Sequence, residues 1–400
     1  MGEADTCVVT DLVAEARPKT SRSSESGSFQ REAWSRPALK KPNHARQQWA
    51  NQAAYRKQLR RRRRHVAARR RDRQLLKSAP RDKLVAPDRF MLWSTRRRRD
   101  EGSRVFLMFL ERLRSFRGRA LTIDLSRVRS MHVAATLLFK AELCYLRKRG
   151  VQLRAVPPTR SRTQQVLQQT GLCTLLRLNI NTAVNRADVV HWRHASGRHD
   201  YLDPDLVGGL LQDVENPIDS PLYTGTLESV ANCVEHAYQE HRARRPMVSE
   251  EDGWWAFQQV RDGNITVCVC DLGIGVANAL PIRLDTEPTL LKRLLRLFKK
   301  VKSKDCRAIR AALEYGRSGT GQPNRGKGLR DATRVIDAAG DGFFALLSNA
   351  GLYSYTRTGP DRAPIERTAR LDKSICGTIY MWNYPLQSAE QATALMQEQP

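Results

Sequence analysis

The chain has 400 residues, of which 40% are apolar, and it carries a formal net charge of +28. This length is sufficient for two domains with their own cores and a tail. No apolar run approaches the roughly 18–20 residues of a membrane-spanning helix, and no charged and then apolar signal segment opens the chain. Eight cysteines without a Cys-x-x-Cys pair argue against a disulfide or zinc framework. We therefore expect a cytoplasmic protein without a membrane span.

The positive charge is concentrated at the N-terminal end of the chain. Residues 1–100 hold 27 Lys or Arg against 10 Asp or Glu, including the five arginines of residues 60–64. Few large apolar residues accompany these charges, so burial cannot offset the entropy of ordering. We predict a basic, mostly disordered arm over residues 1–100. Such an arm can bind nucleic-acid phosphates without reading sequence, but a solvated tail without a ligand has the same composition.

Apolar segments of alternating type follow the arm. They predict strands and helices in alternation, namely strands over residues 120–125 and 151–156 and helices over 133–149 and 163–176, the last broken at Gly171. This alternation favours a small α/β domain, which we place at residues 101–180. Residues 178–215 lack a clear period, and we interpret residues 181–215 as an irregular connector.

A second α/β block is predicted over residues 216–388, followed by a tail at 389–400. Apolar residues repeat at helical spacing from Leu227 to Ala237. Asp262-Gly263 between two apolar runs predicts a hairpin with a type I′ turn, and strands that are apolar on both faces are typical of the centre of a covered sheet. The pattern predicts further elements there, namely a basic amphipathic helix over residues 289–304, a helix over 329–339 and strands over 343–348 and 377–382. The basic helix could face an acidic partner or a membrane.

Three segments of this block carry groups suited to a nucleotide: Glu228-x-x-x-Asn232, Asp271-Leu-Gly-Ile-Gly275 and Gly326-Lys-Gly-Leu329. Mg²⁺ takes only a few protein oxygens when a triphosphate supplies the rest, so the Asn232 carbonyl would suffice as a ligand. Glu228, one helical turn earlier, would take a proton from an attacking hydroxyl or water. These two residues are the candidate metal ligand and the candidate catalytic base.

The other two segments would hold the base and the phosphates. Asp271 follows an apolar strand, and its carboxylate would accept a hydrogen bond from the adenine amino group, which makes its burial tolerable. Gly273 and Gly275 let the backbone pass close to a nucleotide because they carry no Cβ.

The downstream segment is the candidate phosphate cover. Gly326 and Gly328 precede a helix that starts at Leu329. The free N–H groups and the dipole at a helix N-terminus favour phosphate, and Lys327 adds positive charge there.

In this order the motifs resemble the GHKL ATPase superfamily, and most closely its anti-sigma-factor serine kinases. Residues 227–238 resemble the N box, Asp271-Leu-Gly-Ile-Gly275 the G1 box and Gly326-Lys-Gly-Leu329 the G2 box. Gly377-Thr378 is similar to the closing strand whose Thr assists adenine binding. The resemblance covers about residues 200–386 and implies a Bergerat-type α/β sandwich, a mixed sheet covered by helices, that binds ATP and Mg²⁺. It also implies that the helix over residues 289–304 packs as a lid between the two glycine motifs.

Residues 104–177 resemble a STAS domain, the fold of anti-sigma-factor antagonists. The similarity lies in three segments, residues 121–125, 148–153 and 166–172. Where regulated members carry a phosphoacceptor Ser, this chain reads Met131-His-Val-Ala-Ala135, with no hydroxyl before Thr136. The resemblance therefore implies a unit that docks a partner protein or forms a homodimer, rather than a substrate for the chain's own kinase.

Together the resemblances imply a regulatory protein that binds Mg-ATP, acts by partner switching and phosphorylates Ser or Thr of a partner with Glu228 as the base. One alternative is a nucleic-acid-associated ATP-binding protein or ATPase that uses the basic arm. Another is a scaffold that binds nucleotide without turnover. Kinase, slow ATPase and nucleotide-gated clamp share the same residues, so the sequence does not choose between them.

Overall fold

The computed structural model describes residues 82–92, 101–214, 217–238, 253–317 and 328–386. All of these residues belong to one compact unit. Within the described residues the fold is mixed α/β and contains three sheets. Most of the predicted arm and all of the predicted tail from residue 389 lie outside the described residues.

Short strands and helices alternate in the first part of the described chain. Its strands are β1 (Lys83–Val85), β2 (Arg89–Phe90), β3 (Ala120–Asp124), β4 (Ser130–Met131) and β5 (Gln152–Val156). Its helices are α1 (Glu101–Ser115), α2 (Val133–Lys148), α3 (Ser161–Gln169) and α4 (Leu172–Leu176). Strands β1, β3 and β5 form a parallel sheet, and β2 pairs in parallel with β4. Gly171 separates α3 from α4 at φ +72°, a left-handed conformation that favours glycine, so the predicted helix break is confirmed.

Strands β1 and β2 lie in the stretch that the sequence assigns to the basic arm. Lys83–Val85 pairs with Thr122–Asp124 of β3, and Leu84 and Phe90 are buried. Four phenylalanine rings, Phe90, Phe106, Phe109 and Phe139, pack with centroids 4.9–6.3 Å apart. Ordered structure therefore begins before residue 101, because this core recruits apolar residues from between the basic runs.

A seven-stranded sheet and the helices around it form the second part. Its helices are α5 (Ala187–Val190), α6 (Pro204–Leu210), α7 (Pro221–His236), α8 (Val276–Arg283), α9 (Pro288–Leu297), α10 (Lys304–Arg317) and α11 (Gly328–Ala339). Its strands are β6 (Trp192–Gly197), β7 (Trp254–Arg261), β8 (Asn264–Asp271), β9 (Asp341–Ser348), β10 (Gly351–Thr358), β11 (Ile365–Arg370) and β12 (Thr378–Pro385).

The strands of this sheet run in the order β11-β10-β9-β12-β8-β7-β6. Every pairing among these described strands is antiparallel, so the expectation of a mixed sheet was wrong here. The reason is local, because β7–β8 and β9–β10 are joined by two-residue turns, which can connect only antiparallel neighbours. The β7–β8 turn has Asp262 at φ +51° and Gly263 at φ +72°, which confirms the predicted type I′ hairpin.

Two predicted segments differ from the structure. Residues 178–215, expected to be irregular, contain α5, β6 and α6, and β6 pairs with β7 along its whole length. Only Trp192 of β6 is fully buried, so this edge strand carries little apolar signal in its sequence. The basic helix ends at Leu297 rather than at residue 304, and a separate helix, α10, begins at Lys304.

Both faces of the seven-stranded sheet are covered. Helices α6, α7, α10 and α11 pack on one face and share a core with Val267, Phe344 and Trp382. Helix α2 packs against β7 and β8 on the opposite face, where the Lys140 ammonium lies 5.3 Å from the centre of the Phe257 ring. The Lys140 ammonium also donates to the Thr170 carbonyl at 2.9 Å. The first α/β part therefore supplies the cover for the back of the sheet.

Candidate functional site

A cavity lies beside the C-terminal end of β8 and holds about 650 Å³ of empty space, including the solvent at its mouth. Four residues selected from the sequence line it: Asn232 on α7, Asp271 at the end of β8, Gly275 before α8 and Thr378 at the start of β12. Its apolar wall comes from α8, α10 and β12, through Val276, Ala279, Leu280, Ala312 and Tyr380. Mostly apolar lining with a few convergent polar groups is typical of small-molecule sites.

Asp271 is the most deeply buried charged group of this cavity, with 3% of its surface exposed. Its carboxylate accepts hydrogen bonds from the Gly273 amide at 2.7 Å and from the Cys233 thiol at 3.7 Å. Burial raises the pKa of Asp271 to about 6, although hydrogen bonds from Gly273, Thr378 and Cys233 oppose the rise. Asp271 lines the cavity, so its carboxylate is an acceptor at the cavity wall.

Strand β12 brings Thr378 directly opposite Asp271 in the antiparallel register. Thr378 is buried, and its hydroxyl lies 3.5 Å from the Ser348 hydroxyl. The preceding residue approaches β8 so closely that a Cβ at Gly377 would lie 2.1 Å from the Asp271 carbonyl oxygen. Glycine at position 377 is therefore required for the pairing that places Thr378.

Close packing against protein explains the two glycines that follow Asp271. A Cβ at Gly273 would lie 2.2 Å from the Ala237 carbonyl oxygen, to which the Ile274 amide donates at 2.9 Å. Gly275 has φ +75°, and a Cβ there would lie 2.3 Å from Asn349 Nδ2. Gly275 lies on the cavity wall, whereas Gly273 is not among the described lining residues. The predicted approach of this backbone to a nucleotide stays a prediction.

Helix α7 positions Asn232 on the cavity wall. The helix starts at Pro221, and the Ser220 hydroxyl caps it by accepting from the Tyr223 amide at 3.1 Å. Asn232 Nδ2 donates to the Glu228 carbonyl at 2.8 Å, and this bond does not use the amide oxygen Oδ1. Glu228 is half-buried one turn earlier and is not among the described lining residues. The candidate metal ligand is thus on the wall, and the candidate base is beside it on the same helix.

Two residues that the sequence did not suggest add charge and an aromatic ring at the cavity wall. Arg283, at the end of α8, lies with NH1 3.0 Å from His236 Nε2, and its guanidinium carbon is 5.6 Å from the centre of the Tyr315 ring. Burial, and then the neighbouring Arg283 charge, lowers the pKa of His236. His236 therefore accepts from Arg283 as a neutral ring, and Arg283 provides the positive charge.

A small apolar cluster holds helices α8, α9 and α10 together. Leu280, Leu284, Leu294 and Tyr315 belong to it, and Phe298 packs against it. Helix α9 buries Leu294 in this cluster, whereas its basic residues and Leu297 are exposed. The lid role expected for this helix stays a prediction. Leu280 and Tyr315 also line the cavity, so this cluster forms part of its wall.

The predicted phosphate cover falls mostly outside the described residues. Gly326 and Lys327 lie there. Gly328 and Leu329 open α11, and only their backbone is described. The phosphate role of this segment stays a prediction.

No group of three or more His, Cys, Asp or Glu with metal-binding geometry occurs in the described part of the chain. The predicted Mg²⁺ site requires none, because it depends on Asn232 and on phosphate oxygens. None of the described helices has the length and apolar content needed to cross a bilayer. No protein-family model, curated protein or solved structure matches this chain.

Proposed function

We propose that the cavity binds ATP with Mg²⁺ and that the chain is a regulatory protein of the anti-sigma-factor kinase type, acting by partner switching. One observation carries the proposal. Asn232, Asp271, Gly275 and Thr378 come from three separate motifs of the sequence and line the same cavity. Chance resemblance of three short motifs would not require their side chains to converge.

The proposed place of the purine is beside Asp271 and Thr378. The Asp271 carboxylate is the acceptor for an exocyclic amino group, and Thr378 lies opposite it in the pairing of β12 with β8. Val276, Leu280 and Tyr380 supply apolar surface for the faces of the ring. A buried acceptor discriminates against ligands that lack the matching donor, because an unpaired buried polar group is costly.

Asn232 and Arg283 are the lining residues proposed to contact Mg²⁺ and the phosphates. Asn232 Oδ1 would hold Mg²⁺ together with phosphate oxygens, and Arg283 would contribute positive charge at the wall. Mg²⁺, when bound, neutralises the charge that develops on the transferred phosphoryl group. Gly326-Lys-Gly-Leu329 is proposed as the backbone cover of the same phosphates.

Phosphorylation of a Ser or Thr on a partner is the proposed reaction. Glu228 would take the proton of the attacking hydroxyl, which its place one turn before Asn232 supports. The first α/β part is proposed as a STAS-like docking unit and the second as a Bergerat-type domain. Val133 and Ala134, where a phosphoacceptor would stand in a STAS domain, are buried at the start of α2, which supports a separate protein as the substrate.

The test combines titration calorimetry with incubation in ATP labelled on the γ-phosphate. Asn232→Ala should abolish Mg²⁺-dependent ATP binding, and unchanged affinity would overturn the metal assignment. Glu228→Ala should bind ATP but transfer no label to a protein in cell extract, and full transfer would remove Glu228 as the base. Thr224→Ala, exposed on the same helix, is the matched control and should behave as wild type.

A second candidate, a nucleic-acid-associated ATP-binding protein, is favoured by the basic face of α9. Its exposed cations include Lys292, Arg293 and Arg296, and no acidic residue occurs between positions 288 and 304. Reversing these three charges should reduce the salt slope of DNA binding by about 2–3 units. The matched control reverses three exposed cations elsewhere, Arg362, Arg367 and Arg370. Equal slopes for the two triple variants would exclude α9 as the contact.

A further inference from the structure

The geometry points to Arg114 as a positioning residue for the cavity, through which the first α/β part controls the proposed nucleotide site. Arg114 lies at the end of α1, far from the cavity in sequence. It holds the segment that precedes β12 and carries Gly377 and Thr378. The regulatory part of this inference rests on the proposed function, whereas the positioning part concerns the protein alone.

The Arg114 guanidinium makes three charge-assisted contacts. Nε donates to Glu142 of α2 at 2.5 Å, NH1 to the Ser374 carbonyl at 2.9 Å and NH2 to the Ile375 carbonyl at 2.5 Å. The Arg114 side chain is 12% exposed and the Glu142 side chain 1%. A planar guanidinium fixes its partners in direction as well as in distance. Helices α1 and α2 are therefore tied to residues 374–375 at a set position.

Those two residues hold Asn349, the first residue of the β9–β10 turn. The Ile375 amide donates to the Asn349 carbonyl at 2.8 Å, and the Asn349 amide donates to the Gly377 carbonyl at 3.0 Å. The Ser374 hydroxyl donates to Asn349 Oδ1 at 3.4 Å. Asn349 is buried and has φ +53°, so it has little freedom to move independently of this segment.

Asn349 in turn holds the backbone of the glycine loop. Its Nδ2 donates to the Ile274 carbonyl at 3.0 Å. The amide of Val276, two residues later in the loop, donates to the Ser348 hydroxyl at 2.8 Å. The same Ser348 hydroxyl is 3.5 Å from Thr378. A displacement of residues 374–375 must therefore move Asn349 and the wall of the cavity at Gly275 and Val276.

Two further ion pairs join α1 to the same segment but lie in solvent. Lys373 pairs with Glu111 at 3.2 Å and Arg104 with Asp372 at 3.9 Å, and all four side chains are about half exposed. Exposed pairs of this kind contribute little. Removing one of these exposed pairs is therefore a control, because it alters the same contact region but keeps the three hydrogen bonds of the Arg114 guanidinium.

The variant that tests the inference is Arg114→Lys in the full chain. Lysine keeps a positive charge beside the buried Glu142, but its single ammonium cannot replace the planar guanidinium that bonds three partners at once. Hydrogen–deuterium exchange should accelerate about tenfold in the peptide spanning residues 272–280, and the Kd for ATP should rise about tenfold. Lys373→Ala should change neither quantity.

A second variant tests the same contacts in case Arg114→Lys does not fold. Ser374→Ala removes the hydroxyl that bonds Asn349 and also accepts from the Cys376 amide, and it leaves no buried charge. It should accelerate exchange in the same peptide by a smaller factor. If Arg114 only stabilised the fold, both variants would lower the free energy of unfolding without a selective increase in exchange at residues 272–280.

The outcomes separate the two proposals. Faster exchange in Arg114→Lys with no ATP binding by wild type would support the positioning role and overturn the proposed function. ATP binding by wild type, with exchange and affinity unchanged in both Arg114→Lys and Ser374→Ala, would overturn the inference and leave the proposed function intact.

Discussion

Gly275→Ala is the substitution whose cost can be worked most directly from the structure. Gly275 has φ +75° and ψ 160°, a region that is essentially restricted to glycine and costs other residues about 1–3 kcal/mol. The added Cβ would lie 2.3 Å from Asn349 Nδ2 and 2.8 Å from the Ser348 hydroxyl. Both neighbours are held by hydrogen bonds to the same loop, so they cannot move aside without losing them. Overpacking of this kind costs a further 1–3 kcal/mol or so.

The expected loss in the free energy of unfolding is therefore about 2–6 kcal/mol, measured by urea denaturation. Gly263→Ala is the matched control, because Gly263 also has φ +72° but no heavy atom lies within 4 Å of its added Cβ. It should lose only about 1–2 kcal/mol for the left-handed backbone. Equal losses in the two variants would show that Asn349 and Ser348 do not confine Gly275, and the argument from close packing would fail.

The remaining predictions concern two titrating groups and the core. Adenosine affinity should rise with pH to a plateau above about 7 and be up to about tenfold weaker near pH 5, because burial raises the pKa of Asp271 to about 6 and the ionised carboxylate is the stronger acceptor for the amino group. A flat profile in calorimetry would exclude Asp271. Burial lowers the pKa of Lys140 from 10.5 to about 8, so the unfolded chain binds more protons between these values and the free energy of unfolding should rise with pH across that window. Lys140→Met should remove this rise in urea denaturation, and its persistence would assign the rise to another group. Phe344 is fully buried, so Phe344→Ala should lower the free energy of unfolding by about 3–5 kcal/mol. Ile365 is exposed, so Ile365→Ala should lower it by less than about 1 kcal/mol, and similar losses in the two variants would contradict the placement of the core.

Local signals predicted the parts of the fold that depend on few residues. Asp262-Gly263 was sufficient for the β7–β8 hairpin because the turn geometry is set by two residues. Gly171 likewise marked the break between α3 and α4. Strand β6 was missed because its pairing with β7 supplies its stability, and its own residues are largely half-buried or exposed. Helix α8 was missed because Pro281 lies inside it, which normally argues against a helix.

The candidate site divides in the same way. Asn232, Asp271, Gly275 and Thr378 were found because each belongs to a short motif. Their convergence in one cavity is a property of the fold that no single motif contains.

Residues that act through tertiary contacts gave no such signal. Arg283 and Tyr315 meet only when α8 packs against α10, and Arg114 reaches Ser374 across 260 positions of sequence. Asn349 has a turn residue's conformation, but its bond to the Ile274 carbonyl depends on the packing of two loops. Sequence patterns report neighbours along the chain, and these contacts are not of that kind.

Photolabelling tests the central claim most directly. An azido-adenine analogue of ATP is cross-linked to the full chain in the presence of Mg²⁺, and the labelled peptides are mapped by mass spectrometry. The account predicts labelling confined to peptides that contain Asp271, Tyr315 or Tyr380, with labelling abolished by excess ATP and unaffected by GTP at the same concentration. Labelling that ATP does not displace, or that maps only to the basic residues 1–81, would contradict it.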